Sequence, residues 1–303
     1  MFEPNCVLIK NAPEIHLKTS FVEDFFLKKL REHIRHSLKK NNIEIHDISS
    51  ERGRIVLKSG DLGKSLVLLK KVFGIHAISI AQSFEEKDFE KIIEKTLSCC
   101  GNFFEKEDTF AVRASVVNSK PFHSREIEMA LGEKILRKFP FLKVSLKFPK
   151  KEVFVEVKKD SFYVFFENFK GLGGIPVGCE GNVGVFFSEK KECLAASYLM
   201  LKRGCNVFPI IKEKTPEIEK NISLLLPFNS FQDFFLTEEK DLQTLIEKKQ
   251  IIALIDCSKT LDKSVLEKIS ENRKKFQLPF FYPLLCFPKE ELERILKLVE
   301  NEK

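Results

Sequence analysis

Tryptophan is absent from the 303-residue chain, and with only three tyrosines its aromatic content rests on 30 phenylalanines. No apolar run approaches the roughly 20 residues that a membrane-spanning helix requires, because each is broken by Lys, Glu or Pro. The segment after Met1 lacks the apolar core of a secretory signal. A soluble, cytoplasmic protein with no membrane partner is expected. No CxxC pair occurs among the eight cysteines, Cys6, Cys99, Cys100, Cys179, Cys193, Cys205, Cys257 and Cys286. That spacing excludes the usual zinc motifs and, in a chain this long, predicts reduced thiols rather than a disulfide framework. No histidine follows His123, so the second half lacks the imidazole that a Cys-His dyad or a zinc centre needs. Many hydrolase and metalloenzyme readings of that half fall away. There is no internal repeat and no low-complexity segment.

What is present is core material and charge. A hydrophobic fraction of 43% with 31% charged residues excludes a disordered chain, and the length suits about two domains of roughly 150 residues. The net charge of +7 is unevenly placed. Residues 1–100 carry 17 Lys+Arg against 14 Asp+Glu, residues 101–178 carry 14 against 10, and residues 179–303 carry 20 against 20. The excess lies wholly in the first 178 residues. It fits a phosphate-bearing partner, and it fits equally the solvated Lys/Glu surface of a heat-tolerant protein.

Three modules follow one another. The first opens with a strand over 7–10 and a helix over 20–40, whose Leu27, Leu30, Ile34 and Leu38 form a stripe at 3/4 spacing. A strand over 54–57, a helix over 63–71 and a strand near 76–80 complete a βαβαβ-like order compatible with a ferredoxin-like half-sandwich. A Glu-rich helix over 86–99 leads onward. In the second module Phe110, Val112, Ala114 and Val116 alternate with Thr109, Ala111, Arg113 and Ser115, which puts Arg113 on the polar side of a half-buried strand. Ser124 can cap a helix with Glu126 and Glu128 in its first turn and Ile127, Leu131 and Ile135 as its buried stripe. Strands over 143–146, 153–158 and 162–168 follow. The Gly/Pro-dense stretch 170–178 marks a boundary. The third module alternates strands (183–187, 207–211, 223–226, 251–256, 280–285) with helices (194–203, 238–248, 263–276, 289–299), the pattern of a small parallel sheet.

Short motifs now fall into one order. Glu14-Ile15-His16-Leu17-Lys18, Glu51-Arg52-Gly53-Arg54-Ile55 and Lys71-Val72-Phe73-Gly74-Ile75 mark the first module. Phe110-Ala111-Val112-Arg113, Glu126-Ile127-Glu128, Leu131-Gly132, Phe139-Pro140, Leu142-Lys143-Val144 and Val153-Phe154-Val155-Glu156-Val157 mark the second. Lys170-Gly171-Leu172-Gly173-Gly174-Ile175-Pro176-Val177-Gly178 closes it. On these residues the chain resembles the tRNA 4-thiouridine synthetase (ThiI) family from its first strand nearly to its end. The resemblance implies an α+β N-terminal ferredoxin-like domain (1–80) and a THUMP RNA-binding domain (81–170). A Gly/Pro linker (171–178) and a small α/β Rossmann-like domain of PP-loop/HUP type (179–303) would follow.

The third module departs from that pattern. After Gly184-Val185-Phe186-Phe187 the family has Ser-Gly-Gly-x-Asp-Ser, whose glycines let backbone amides cradle ATP phosphates. This chain has Ser188, Glu189, Lys190, Lys191, Glu192 and Cys193. Both glycines are lost, and two carboxylates face a polyanion. The helix that follows is kept, with Ala195-Ala196 and Lys202-Arg203-Gly204 in place. Asp256-Cys257-Ser258 stands for the family's Gly-Glu-Ser, and Phe281-Tyr282-Pro283-Leu284 with Lys289-Glu290-Glu291 matches its last motif. Residues 226–251 are shorter than in the family. The chain stops at Lys303, before the region of the family's reactive cysteine, and no rhodanese-like domain is expected.

These residues are therefore read as a vestigial nucleotide loop in a degenerate, truncated domain with no catalytic residue and no metal. Lys190 and Lys191 fit phosphate contacts or an exposed turn. Cys193, at a helix N-terminus, fits sulfur chemistry or a neutral filler. Cys257 and Cys286, at strand ends, fit an active-site edge or core filling. The resemblance assigns Arg113, Lys120, Arg125, Lys143, Lys147 and Lys170 to RNA, each of which also fits ordinary surface charge. His123 fits a phosphate or base contact or an incidental loop position, and the phenylalanines read as core. The expected function is a non-catalytic tRNA-binding adaptor in tRNA modification, gripping the acceptor end. No cofactor is expected, and a homodimer or a catalytic tRNA-modifying partner would dock on the α/β domain. The alternatives are an active ATP-dependent tRNA 4-thiouridine sulfurtransferase, which would bring in ATP and magnesium, and a protein-binding scaffold.

Overall fold

The computed structural model describes residues 1–51, 53–117, 121–229, 233–260 and 263–300. The N-terminal elements are β1 (Cys6–Asn11), α1 (Pro13–His16), α2 (Ser20–Lys40), β2 (Ile45–Glu51), β3 (Arg54–Ser59), α3 (Leu62–Leu69) and β4 (Ile75–Phe84). Next come α4 (Phe89–Cys99), β5 (Thr109–Val116), α5 (Ser124–Lys138), β6 (Lys143–Val144), β7 (Lys151–Val157), β8 (Phe162–Phe165) and β9 (Phe169–Gly173). Then follow β10 (Asn182–Phe186), α6 (Lys191–Arg203), β11 (Asn206–Ile211), α7 (Pro216–Ser223), β12 (Thr237–Glu238) and α8 (Leu242–Lys249). The chain closes with β13 (Ile251–Ile255), α9 (Lys263–Lys275), β14 (Phe280–Phe281) and α10 (Lys289–Glu300). Among the described residues no helix is long and apolar enough to cross a membrane.

The chain divides into two compact units. The first comprises Met1–Lys10, Ile43–Val67 and Ala77–Lys170. It is built on a sheet of order β2-β3-β1-β4-β8-β7-β5-β6, with β9 also pairing with β4. Strand β2 is missing from the sequence expectation. It is an edge strand bonded only to β3, in pairs such as Ser49↔Val56, and its side chains are mostly exposed. Backbone bonds rather than an apolar face hold it, so no hydrophobic alternation announces it. Strand β4 neighbours β1 and pairs antiparallel with β8 through Gln82↔Val164 and Phe84↔Phe162, which makes the sheet continuous.

The two faces of this sheet differ. Ile92 and Ile93 of α4 and Ile127, Leu131 and Ile135 of α5 bury one face against Phe110, Val112, Val153 and Val155. The opposite face carries a smaller cluster, Cys6, Leu8, Val56, Ala81, Tyr163 and Phe165, with Phe154 packed against it. The period of two along β7 sends Val153 and Val155 one way and Phe154 the other. Helix α5 starts one residue earlier than a Ser124 cap would place it. His123 holds the cap position, and its backbone N–H donates to the Glu126 carboxylate at 2.6 Å.

The second unit comprises Asn11–Asn42, Leu68–His76 and Gly171–Lys303. Its sheet, in order β12-β11-β10-β13-β14, is parallel at every pairing. Successive strands run outward from β10 to β11 and β12 on one side, then to β13 and β14 on the other. The strand order thus reverses between β10 and β13, where such sheets open a crevice at their carboxyl ends. Residues 223–226, expected as a strand, instead close α7 and its following turn. The Thr215 hydroxyl accepts the Ile218 N–H, Pro216 fits the first turn, and Ile218 and Ile222 fall on one buried face. The strands expected over 143–146 and 280–285 contract to β6 and β14. In the 171–178 stretch, Ile175 N–H donates to the Lys202 carbonyl at 3.0 Å and Gly178 N–H to that of Gly204 at 2.8 Å.

Candidate nucleic-acid interface

In the first unit, the sheet face that α4 and α5 leave open holds a cavity of about 150 Å³. Its floor is apolar, with the Phe154 and Phe165 rings stacked at 5.0 Å. Its rim is polar, with Lys10, Arg54, Arg113, Ser79, Ser115 and Asn168 around it. Strand register explains the grouping. Lys10 on β1 lies directly opposite Arg54 on β3, and Arg113 on β5 opposite Phe154 on β7. The Arg113 guanidinium donates to Glu152 at 2.8 Å and to the Leu146 carbonyl at 2.7 Å, which fastens the loop carrying Lys147 beside it.

One carboxylate lies beneath these cations. Glu156 is 4% exposed, receives Arg54 at 2.6 Å and 3.0 Å, and pairs with Lys158 at 2.8 Å. Burial pushes its carboxyl up, but Arg54 and Lys158 together overturn that and hold it below its usual value of 4.5. A lowered native value means the stabilisation is full above pH 4.5 and is lost as pH falls through the native value. Glu156→Gln is expected to cost about 2 kcal/mol at neutral pH. That is less than the roughly 3–5 of a fully buried pair, because both cations keep some water. Urea unfolding of both proteins at pH 7 and at pH 3 checks this: the gap should narrow in acid, and a constant gap would refute it.

Of the residues expected to touch RNA, Arg113 alone among those described lines the cavity. Lys143 is exposed on β6, Lys147 is exposed in the following loop, and Arg125 is exposed in the first turn of α5. Lys170 is exposed on β9, and Lys120 lies outside the described residues. His123 is exposed at the cap of α5. Lys10 and Arg54 also line the cavity, and their only sequence signal is a polar residue within an otherwise apolar strand. Most phenylalanines are core, but Phe148, next to Lys147, is 85% exposed and offers a ring on which a base can stack.

In the second unit, the loop of residues 188–190 and the first turn of α6 follow β10. None of Ser188, Glu189, Lys190, Lys191, Glu192 or Cys193 takes a left-handed backbone angle. The Glu189 carboxylate accepts from the Thr215 hydroxyl at 2.8 Å, and its carbonyl from the Asn221 amide at 3.1 Å. Lys259 sits 2.5 Å from Glu192, and this hydrogen bond holds the Glu192 carboxyl below its usual range, so it is ionised at neutral pH. Lys191 is engaged by Glu300 at 2.5 Å. A triphosphate placed here would meet two anchored carboxylates and no glycine nest. The residues present do not fit one.

A broad sheet with cations on its open face, followed by a parallel α/β sheet, defines an α+β region joined to a Rossmann-like domain. The model of the ThiI ferredoxin-like domain matches residues 6–79, and that of the THUMP domain matches residues 86–167. The probable tRNA sulfurtransferase of Methanosarcina acetivorans is 23% identical over 98% of this chain and 81% of its own length. Several other curated relatives of that name match over 42–54% of their length, so the chain spans about half of them. Among solved structures, PH1313 from Pyrococcus horikoshii Ot3 superposes with a TM-score of 0.86 at 27% identity, covering 98% of this chain and 99% of that one. A 4-thiouridine synthetase–RNA complex with bound ATP shares the fold, with a TM-score of 0.81 at 20% identity, covering 99% and 86%. The chain belongs to the tRNA sulfurtransferase (ThiI) family. It has that family's ferredoxin-like domain, THUMP domain and C-terminal α/β domain.

Proposed function

We propose that the chain binds tRNA at its acceptor end through the open sheet face, without using ATP, and serves as an adaptor in tRNA modification. The observation that carries this reading is the convergence of Lys10, Arg54 and Arg113 on one face from three separate strands. Cations spaced along a sheet suit a phosphate backbone, and an exposed ring such as Phe148 suits an unstacked base of a single-stranded end. The α/β domain then offers a surface for a second copy or for a catalytic partner. The anchored Glu189 and Glu192 support the non-catalytic part.

Filter retention across a salt series tests both halves, using full tRNA and an acceptor minihelix lacking its free end, with and without ATP. Binding that falls steeply with salt, needs the free end and ignores ATP is the expected result. Binding no tighter than to random RNA would leave a protein-binding scaffold. An active sulfurtransferase is the second reading, favoured by the retained parallel sheet and by the relatives' names. ATP-dependent AMP release in the presence of tRNA would establish it.

A further inference from the structure

Two thiols meet at the carboxyl edge of the parallel sheet, where the strand order reverses. Cys193 lies in the first turn of α6 and Cys257 just beyond β13. Both sulfurs rest on the carbonyl of Phe186, the last residue of β10, Cys257 at 3.4 Å and Cys193 at 3.7 Å. The Cys257 side chain also hydrogen-bonds Cys193. Ser188 brings its backbone N–H to 3.3 Å and its hydroxyl to 3.4 Å of the Cys193 sulfur. Access differs sharply: Cys193 is 2% exposed, whereas Cys257 is half-buried.

We propose that Cys257 and Cys193 form a thiol–disulfide exchange site for a low-molecular-weight disulfide, with Cys257 as the entry sulfur and Cys193 as the resolving one. In the first step Cys257 passes its proton to the Cys193 thiolate that it hydrogen-bonds and attacks one sulfur of the small disulfide RSSR. Its S–S bond breaks, a mixed Cys257–SR disulfide forms, and one RS⁻ leaves and takes up that proton, which returns Cys193 to its thiolate. In the second step the Cys193 thiolate attacks Cys257 Sγ, the Cys257–SR bond breaks, and the second RS⁻ leaves. Two protein thiols are oxidised to one disulfide while RSSR is reduced to two RSH. The order follows from access, because only Cys257 can be reached from solvent, and the buried partner already touches it. Hydrogen bonds from Cys257 and Ser188 bring the Cys193 thiol down to about 7, against burial and the nearby Glu192 charge, which favours its thiolate for the second step. This site is independent of the RNA-binding reading.

Oxidised glutathione is the probe. The full chain is incubated with it, alkylated in denaturant with N-ethylmaleimide and analysed as peptides. The expected result is two fewer alkylated thiols than the eight present and one peptide pair joining Cys193 to Cys257. Cys257→Ser should abolish the link, and Cys193→Ala should trap glutathione on Cys257. The native protein and Cys257→Ser suffice should Cys193→Ala not fold. Full alkylation of all eight thiols, a link between other cysteines, or a lasting glutathione adduct on the native chain would overturn the proposal.

Discussion

Replacing Lys10 and Arg113 together with Ala is expected to weaken tRNA binding by about 100-fold at moderate salt. The slope of log affinity against log salt should fall by about two. Both side chains stand on the rim of the same cavity, and neither belongs to the buried Glu156 cluster. Removing them takes charge from the face without stranding a buried carboxylate. Arg113 also ties down the Leu146 carbonyl, so its loss frees the loop that presents Lys147 and Phe148. Circular dichroism should show an unchanged fold. Lys297→Ala, an exposed lysine of α10, is the control for a general loss of positive charge. Unchanged affinity in the double variant would place the RNA elsewhere.

Gly174→Ala should cost about 3–4 kcal/mol of stability, whereas its neighbour Gly173→Ala should cost about 1 kcal/mol. Both glycines have positive φ, +75° and +65°. A methyl at Gly173 would meet nothing within 4 Å, so only the left-handed backbone is penalised. A methyl at Gly174 would stand 2.4 Å from the Lys202 carbonyl oxygen. That oxygen already accepts the Ile175 N–H at 3.0 Å, so relieving the clash also loosens a hydrogen bond. Urea unfolding of the two variants side by side separates the effects. Equal losses would mean that conformation alone governs this stretch.

Much of the fold was legible because it rests on local periodicity. Leu30, Ile34 and Leu38 of α2 and Ile127, Leu131 and Ile135 of α5 are buried as their 3/4 spacing requires, while Leu27 is only half-buried and Phe26 beside it is buried instead. The expected inward positions Phe110 and Val112 of β5 are buried and Arg113 is partly exposed, but Ala111 is buried as well and Ala114 and Val116 are only half-buried. What failed was local in another way. The polar edge strand β2 had no apolar signature, and the cap at Thr215-Pro216 outweighed the apolar run after it. That residues 188–193 contain no glycine is legible from residue identity alone. How Thr215, Asn221 and Lys259 anchor the glutamates among them is not.

By itself the sequence determined the order of the three modules, most of the buried faces of the long helices and the placement of the positive charge. All of these depend on residue type and short-range spacing. Tertiary structure decided which residues share a site. Arg54 and Glu156 are 102 residues apart in sequence, and only the continuous sheet brings them to a 2.6 Å contact. Cys193 and Cys257 meet only because β10 and β13 pair in parallel. Strand pairing joins distant segments through backbone hydrogen bonds that every residue type can make, so side-chain patterning leaves the partner strand and its register undetermined.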